Sequence, residues 1–255
     1  MPIMKHEIPI LEYDTEQKAV IMPTYEKTGL QLPRKAVFAF LGEHIDRYAA
    51  DHGARVAGVI ESVTKKYPVY ILEREGEQIA LLQAPMGAPA AAHLLDCLIG
   101  GGAEVILSAG CCGALEPFPE GEFLLPVRAL RDEGTSYHYA PPSRFIEVNP
   151  KIREAFRREL EARSLGCREV TTWSTDGFFR ETRELVAYRK AEGCSVVDME
   201  CAALAACAQL RDADWGMVLY TADTLADPDH YDERNWGRDV ETLALQICLD
   251  TAAKL

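Results

Sequence analysis

Short apolar runs alternate with longer stretches of mixed polarity along this chain. Six runs are apolar nearly throughout and predict buried strands: residues 35–41, 78–84, 103–109, 123–130, 194–197 and 215–222. Five intervening or following stretches favour helices: 90–99, 152–163, 181–192, 199–211 and 233–254. Strands that are apolar on both faces and alternate with helices predict an α/β domain whose parallel or mixed sheet is covered on two sides.

Composition narrows the range of partners. The chain has 255 residues, of which 48% are hydrophobic, and a formal net charge of -13. Lys and Arg form no large cluster, so we expect neither a nucleic-acid partner nor an anionic membrane surface. No apolar window is long enough to span a bilayer, and the first residues lack the apolar core of a signal peptide. These features predict a cytoplasmic protein.

The cysteines do not have the spacing of a disulfide framework or a metal site. The chain has eight, with no CxxC pair, and its histidines show no HExxH spacing. Six lie in apolar runs and are expected to be small buried side chains: Cys97, Cys112, Cys194, Cys201, Cys207 and Cys248. We therefore predict a reducing environment and no metal.

Candidate chemistry follows the predicted strands, because ligands of such sheets bind where strands end and helices begin. Gly110 and Gly113 follow the strand 103–109 and are expected to bracket a tight turn, whose N–H groups could approach an anion or a sugar. A simple strand-ending turn is the alternative. Residues 100–102 are three glycines before that strand and favour a helix C-cap.

Two acidic positions follow other predicted strands. Asp198 and Glu200 flank Met199 at the start of an alanine-rich helix, where the helix dipole is expected to keep a carboxylate ionised. Such a carboxylate suits vicinal hydroxyls, although helix capping alone would also explain it. Asp223 follows the last strand; it is either a turn residue or, if desolvated, a proton donor with a raised pKa.

Two loops add aromatic groups. Phe178 and Phe179 adjoin Gly177, where one ring could stack on a planar base or simply contact the core. Residues 131–143 are rich in polar and aromatic side chains, a composition typical of functional loops.

In this order, the segments resemble the nucleoside phosphorylase family, which includes uridine phosphorylase, purine nucleoside phosphorylase and methylthioadenosine nucleosidase. The similarity runs from about residue 36 to 226 through APMGAPA at 84–90, GCCGA at 110–114, RDEGTSYHYAP at 131–141, DGFF at 176–179, DME at 198–200 and Asp223. These segments look like the family's TGMGGPS, GSCG-type turn, RxDGxSxHFxP, DxFY, EME and SD motifs.

The resemblance implies a role for each matched position. The ribose would contact Met199, Glu200 and Cys111; the base would contact Phe178 and Gly113; and Asp223 would be the general acid. Glu200 would accept hydrogen bonds from the 2′- and 3′-hydroxyls, so it is a catalytic candidate together with Asp223.

The resemblance also implies a fold and an assembly. We expect a single-domain three-layer αβα fold over residues 1–255, with a mixed, partly barrel-like central sheet and residues 1–34 packed on it as an N-terminal extension. Family members are homo-oligomers, either dimers or trimers of dimers, and one site often borrows residues from a neighbouring subunit. No cofactor is expected, with inorganic phosphate as co-substrate.

The sequence departs from the family at the phosphate site. The family's GDPxR loop reads GEHIDR at 42–47, so Asp46 replaces the arginine and Arg47 comes one residue late. Ser108 replaces a second arginine, and Lys65 aligns with an arginine that uridine phosphorylases supply across the subunit interface. The phosphate candidates are therefore Gly42, Lys65, Arg47 and Cys111.

These departures leave three functions open. The first is a nucleoside phosphorylase, a pentosyltransferase that releases free base and ribose 1-phosphate. The second is a nucleosidase that uses water, with Glu43 or Asp46 as base. The third is a nucleoside-binding protein without turnover. The base is also open, since Asp223 suits a purine, residues 131–139 resemble uridine phosphorylases, and their Gln-x-Arg pair is not found.

Overall fold

A computed structural model describes residues 3–24 and 29–255. This part contains ten strands: β1 (Lys35–Ala39), β2 (Arg55–Glu61), β3 (Lys66–Arg74), β4 (Glu77–Gln83), β5 (Val105–Ala114), β6 (Phe123–Asp132), β7 (Phe145–Glu147), β8 (Arg168–Thr175), β9 (Cys194–Asp198) and β10 (Asp214–Thr224). Its α-helices are α1 (His44–Asp51), α2 (Ala88–Gly100), α3 (Ser136–Tyr139), α4 (Pro150–Ala162), α5 (Arg183–Ala191), α6 (Cys201–Leu210) and α7 (Glu241–Lys254).

One mixed sheet contains all ten strands, and part of it closes on itself. β10 pairs with β6, β6 with β8, β8 with β9, β9 with β5, and β5 with β10, which completes a ring of five strands. From β5 the sheet continues openly through β1, β4, β3 and β2, while β7 pairs with β6. The expected mixed, partly barrel-like sheet is confirmed.

Helices cover both faces of this sheet. Along β1, Ala36 and Phe38 belong to the core cluster under α2 and α6, whereas Val37 and Ala39 belong to the cluster under α1, α4 and α7. Successive side chains of a strand point to opposite faces, so an apolar strand such as β1 contributes to both layers. The three-layer α/β architecture is therefore confirmed.

The six predicted strands and five predicted helices are all present, with some different bounds. The last helix begins at Glu241 rather than at 233, after a 3₁₀ turn at Arg238–Val240. The predicted turn at 110–113 is wrong, because β5 continues to Ala114 and pairs there with β9 and β10. The alternation of apolar and polar residues had not indicated β2, β3, β7, β8, α1 and α3. The helix C-cap at 100–102 is confirmed, since α2 ends at Gly100.

Of the proposed extension 1–34, residues 1, 2 and 25–28 lie outside the described part. The Tyr13 hydroxyl donates to the Tyr139 carbonyl, and Arg211 donates to the Gln17 carbonyl. The six cysteines expected in the core are all buried and free. In the described part, no helix is both long and apolar enough to cross a membrane.

Candidate active site

A cavity of about 820 Å³ lies where several strands end. Its wall includes residues in or directly after β1, β4, β8, β9 and β10, together with the second half of β5. Glu200, Asp223 and Phe178 all line it. Three side chains that are distant in sequence and suited to a sugar, a leaving group and a planar ring therefore share one cavity, whose size is typical of small-molecule sites.

Glu200 is held by the start of another helix. Its Oε1 accepts a hydrogen bond of 2.5 Å from the Gly87 amide, directly before α2. Gly87 has a φ of 97°, a conformation that glycine adopts more easily than any other residue. In this conformation, at the end of the loop after β4, its N–H is directed toward Glu200. Met199 and Glu200 line the cavity here; after the contacts that the resemblance implies, we call this region, with Gly87 behind Glu200, the ribose end.

Asp198 positions the segment that carries Glu200. It accepts hydrogen bonds from the Thr172 and Ser174 hydroxyls at 2.9 and 2.7 Å, and from the amides of Glu200 and Cys201 at 2.9 and 2.6 Å. These amides begin α6, so Asp198 caps the helix and fixes where Glu200 leaves β9. Both carboxyl oxygens of Asp198 thus accept hydrogen bonds from the protein, so Asp198 holds Glu200 in place rather than binding a ligand itself.

Burial weakens the expected tendency of these carboxylates to stay ionised, most clearly at Glu200. Burial is the largest effect on both: it raises the pKa of Asp198 despite its four hydrogen bonds and raises the pKa of Glu200 to about 8. Glu200 is only 8% exposed, and the nearby Asp198 raises its pKa further. The loss of water around a buried carboxyl is thus the main effect at both positions.

Asp223 lies within β10 rather than after it, and it is 5% exposed. Burial raises its pKa, while a hydrogen bond from the Tyr231 hydroxyl and the charge of Arg234 oppose that rise. A Cβ on Gly113 would lie 3.2 Å from Asp223 Oδ1 and 2.9 Å from Val197 Cγ1. Glycine is needed at 113 for this close approach of neighbouring strands, not for a turn.

Aromatic and sulfur groups complete the wall near these acids. Phe178 lies in a 3₁₀ turn after β8 and lines the cavity, with the Phe179 ring 5.0 Å away in an edge-on arrangement. Cys111 opens onto the cavity, and burial together with the charges of Glu200 and Asp223 raises its pKa to about 12, so it remains a thiol. After the contacts that the resemblance implies, we call the region of Phe178 and Asp223 the base end.

Gly42, Lys65 and Gln83 also line the cavity, and after the phosphate contacts that the resemblance implies we call this part the acceptor end. Lys65 lines the cavity of its own chain, donates a hydrogen bond to Gln83 and lies 5.4 Å from the centre of the Tyr67 ring. Lys65 is the only Lys or Arg on the described cavity wall.

Other acceptor candidates lie elsewhere. Arg47 is on the exposed side of α1, because Ile45 and Tyr48 take the buried side, so the structure does not bring it to the cavity. Glu43 and Asp46 do not line the cavity either, and the Asp46 carboxylate accepts a 2.9 Å hydrogen bond from Tyr70. The idea that one of these two acids activates water is therefore not supported by their positions.

The polar loop 131–143 has a structural function in its own chain. Arg131 is 4% exposed, and its guanidinium donates to the Ser136 and Ser143 hydroxyls and to the carbonyls of Ala140 and Pro141. None of the residues in this loop lines the cavity. The polar groups of this loop, whose composition suggested a functional site, thus provide hydrogen-bond acceptors for one buried guanidinium.

Sequence reasoning missed three residues that contribute to the site. Gly87 belongs to one of the matched motifs, but sequence reasoning assigned it no role of its own. Its hydrogen bond to Glu200 joins residues 113 positions apart, so no local pattern indicates it. Glu181 lines the cavity close to Asp223, and Tyr231 bonds to Asp223. A local pattern could have drawn attention to Glu181, since it follows Phe178–Arg180 directly before a helix.

Comparison with known proteins identifies the family of the chain. A sequence profile described as the phosphorylase superfamily matches residues 34–253. A uridine phosphorylase of Thermococcus kodakarensis is 30% identical over 122 residues, covering 45% of this chain and 42% of that protein. An uncharacterized protein of Acanthamoeba polyphaga mimivirus is 24% identical over 156 residues, covering 60% and 59%. The chain thus spans less than two thirds of the length of either curated relative.

Solved structures share the fold at low identity. Uridine phosphorylase from Vibrio fischeri superposes with a TM-score of 0.76 at 22% identity, over 88% of this chain and 94% of that one. AMP nucleosidase from Bacteroides thetaiotaomicron superposes with a TM-score of 0.70 at 20% identity, over 86% and 87%.

Proposed function

Because the chain belongs to the phosphorylase superfamily, we propose that it cleaves the N-glycosidic bond of a nucleoside. The observation that carries this proposal is the convergence of Glu200, Asp223 and Phe178 on one cavity. The ribose would lie against Glu200 and Met199, beside Cys111, and the base between Phe178 and Gly113. Asp223 would face the base as its general acid.

The chemistry of bond cleavage explains why two acids are needed. As the bond breaks, positive charge develops on the sugar and negative charge on the leaving base. Asp223, whose pKa is raised by burial, can give its proton to the base. Glu200, with a pKa of about 8, is partly protonated before the reaction, and a cationic sugar favours its ionised form. Glu200 therefore interacts more strongly with the transition state than with the substrate.

We propose phosphate as the acceptor, bound at the acceptor end by Lys65 and Gly42 with Cys111 nearby. Four carboxyl groups line the cavity, on Glu181, Asp198, Glu200 and Asp223, yet burial raises the pKa of each. Protonation of Glu181 and Glu200, whose pKa values rise to about 7 and about 8, reduces the negative charge that an incoming anion would meet at neutral pH. With one lysine and partly protonated carboxyl groups, the cavity would bind phosphate more favourably than it would if all four carboxyl groups were ionised.

Water is the second candidate acceptor, and the scarcity of cations favours it. The described cavity wall has no arginine, the side chain that binds phosphate with two parallel hydrogen bonds. A hydrolase would not require such a side chain.

The test is a panel of purine and pyrimidine nucleosides incubated with the protein, with and without phosphate, while released base and sugar are identified. Phosphate-dependent release with ribose 1-phosphate supports phosphorolysis, whereas phosphate-independent release with free ribose supports hydrolysis. A change in melting temperature with a nucleoside, without base release, would instead indicate a binding protein.

A further inference from the structure

One carboxyl group of the cavity has no role in the scheme above. Glu181 follows the 3₁₀ turn Phe178–Arg180 and precedes Thr182, the N-cap of α5. Its side chain is half-buried and lines the cavity, and it has no hydrogen bond or ion pair with any residue in 3–24 or 29–255. A desolvated acceptor without a protein partner is available to a ligand.

Two cations near this carboxyl are occupied elsewhere. Arg183 forms an ion pair with Asp229, and Arg234 donates to the carbonyls of Ala222 and Phe118. Burial raises the pKa of Glu181 to about 7, and the charge of Asp223 raises it further. The carboxyl of Glu181 is thus neither neutralised by a cation nor used to hold the fold together.

The position of Glu181 along the cavity follows from a second, smaller cavity. This space of about 320 Å³ shares Phe178, Phe179, Glu181 and Asp223 with the first cavity, whereas Glu200, Cys111 and Lys65 line only the first. Glu181 therefore lies with Asp223 at the base end. A ring stacked on Phe178 with its glycosidic bond toward Glu200 would turn its outer edge to Glu181.

We propose that Glu181 selects the base by accepting hydrogen bonds from N–H groups on the edge of the ring opposite the ribose. The inference rests on the proposed function and names its substrate class: N-ribosides whose base carries an amino group or a ring N–H on that edge. An ionised carboxyl only accepts hydrogen bonds, so it pairs with donors and leaves a base with acceptors alone unpaired. Sites that desolvate a polar group in this way discriminate strongly against ligands that cannot pair with it.

The experiment compares bases that differ in these donors. Guanosine, inosine, adenosine, uridine and cytidine carry N–H groups on the outer edge, whereas purine riboside and pyrimidin-2-one riboside carry none. Base release by the wild type, Glu181→Ala and Glu181→Gln is measured as kcat/KM for each. Glu184→Gln is the matched control, because Glu184 is exposed on the first turn of α5 and lines neither cavity.

The wild type and the Glu184→Gln control are expected to prefer at least one donor-bearing nucleoside over its donor-free analogue by about tenfold or more. Glu181→Ala is expected to bring that ratio close to one while leaving turnover of the donor-free analogue within about threefold. Glu181→Gln is expected to lower the ratio as well, because its amide must offer either its oxygen or its NH₂ group.

Two results would overturn the inference alone: an unchanged ratio in Glu181→Ala, or an equal loss for every nucleoside, which would mean a structural or general catalytic role. Wild-type protein that binds and cleaves no nucleoside in the panel would overturn the proposed function, and this inference with it. Thermal unfolding of each variant accompanies the assay, and Glu181→Gln provides the near-isosteric form if Glu181→Ala is unstable.

Discussion

The ribose end and the acceptor end of the cavity are built in different ways. At the ribose end, a backbone amide fixes Glu200, and a fully hydrogen-bonded Asp198 fixes the segment that carries it. At the acceptor end, a lysine on the loop before β3 contacts a glutamine on β4. In the proposed scheme, the sugar would therefore be held by groups that the framework fixes, whereas the acceptor would be chosen by a few side chains.

The largest loss is expected at the base end, from Asp223→Asn. An amide there cannot protonate the leaving base, and a well-placed acid contributes roughly 10²–10⁴-fold in rate. Steady-state kcat with the best nucleoside measures this loss. Asp212→Asn is the control, because Asp212 is an exposed residue with a positive φ that asparagine also tolerates. Equal rates for the two variants would remove Asp223 from the chemistry.

At the ribose end, Glu200→Ala is expected to lower kcat/KM by about 10²-fold, since it removes both the hydroxyl contacts and the stabilising charge. Glu200→Gln can still accept the Gly87 hydrogen bond, so we expect it to keep KM near the wild-type value and lose mainly kcat. Separate determination of kcat and KM distinguishes the two. A normal kcat in Glu200→Gln would show that the charge is unimportant.

Removing the cation at the acceptor end should have a smaller and more selective effect. We expect Lys65→Met to raise the KM for phosphate by about tenfold, the order of one lost charged hydrogen bond, with little change in the KM for the nucleoside. Lys66→Met is the control, because Lys66 is exposed and pairs with Glu61 on the neighbouring strand. If base release does not depend on phosphate, Lys65→Met should have little effect on it. That result would favour water as the acceptor.

The smallest effect expected is a pH dependence at the acceptor end. Glu181 and Glu200, with pKa values of about 7 and about 8, are protonated below those values and negatively charged above them. The KM for phosphate should therefore rise by a few-fold from about pH 6.5 to about 8.5, as negative charge accumulates in the cavity. Glu181→Gln should reduce this rise. A KM that falls throughout the same range would contradict the argument.

The sequence predicted the layers from local apolar patterns, and its motifs named three residues that the structure brings to one cavity. Apolar runs located β1, β4, β5, β6, β9 and β10, and the order of motifs located Glu200, Asp223 and Phe178. It did not predict β3 or the edge strand β2, and in β2 the alternation is weak because Val56 and Val59 are exposed. Nor could it predict how the carboxyls titrate, since burial depends on contacts between distant segments.

Particular positions show where local reasoning misleads. Gly113 suggested a turn, although its lack of a side chain serves contact with Val197 and Asp223. The loop around Arg131 suggested chemistry and instead surrounds a buried guanidinium. A glycine can mark either a turn or a close approach of two strands, and an arginine can either bind a ligand or hold a loop together. Only the neighbours of the residue in the folded chain show which of these applies.

Strand β5 belongs both to the closed ring and to the open part of the sheet. Gly110 packs on Phe40 near the acceptor end, and Gly113 packs on Asp223 at the base end. Three residue steps of about 3.3 Å set these points roughly 10 Å apart. The proposed acceptor and base ends are thus joined by one continuous strand, so hydrogen-bonded backbone rather than a loop sets the spacing between them.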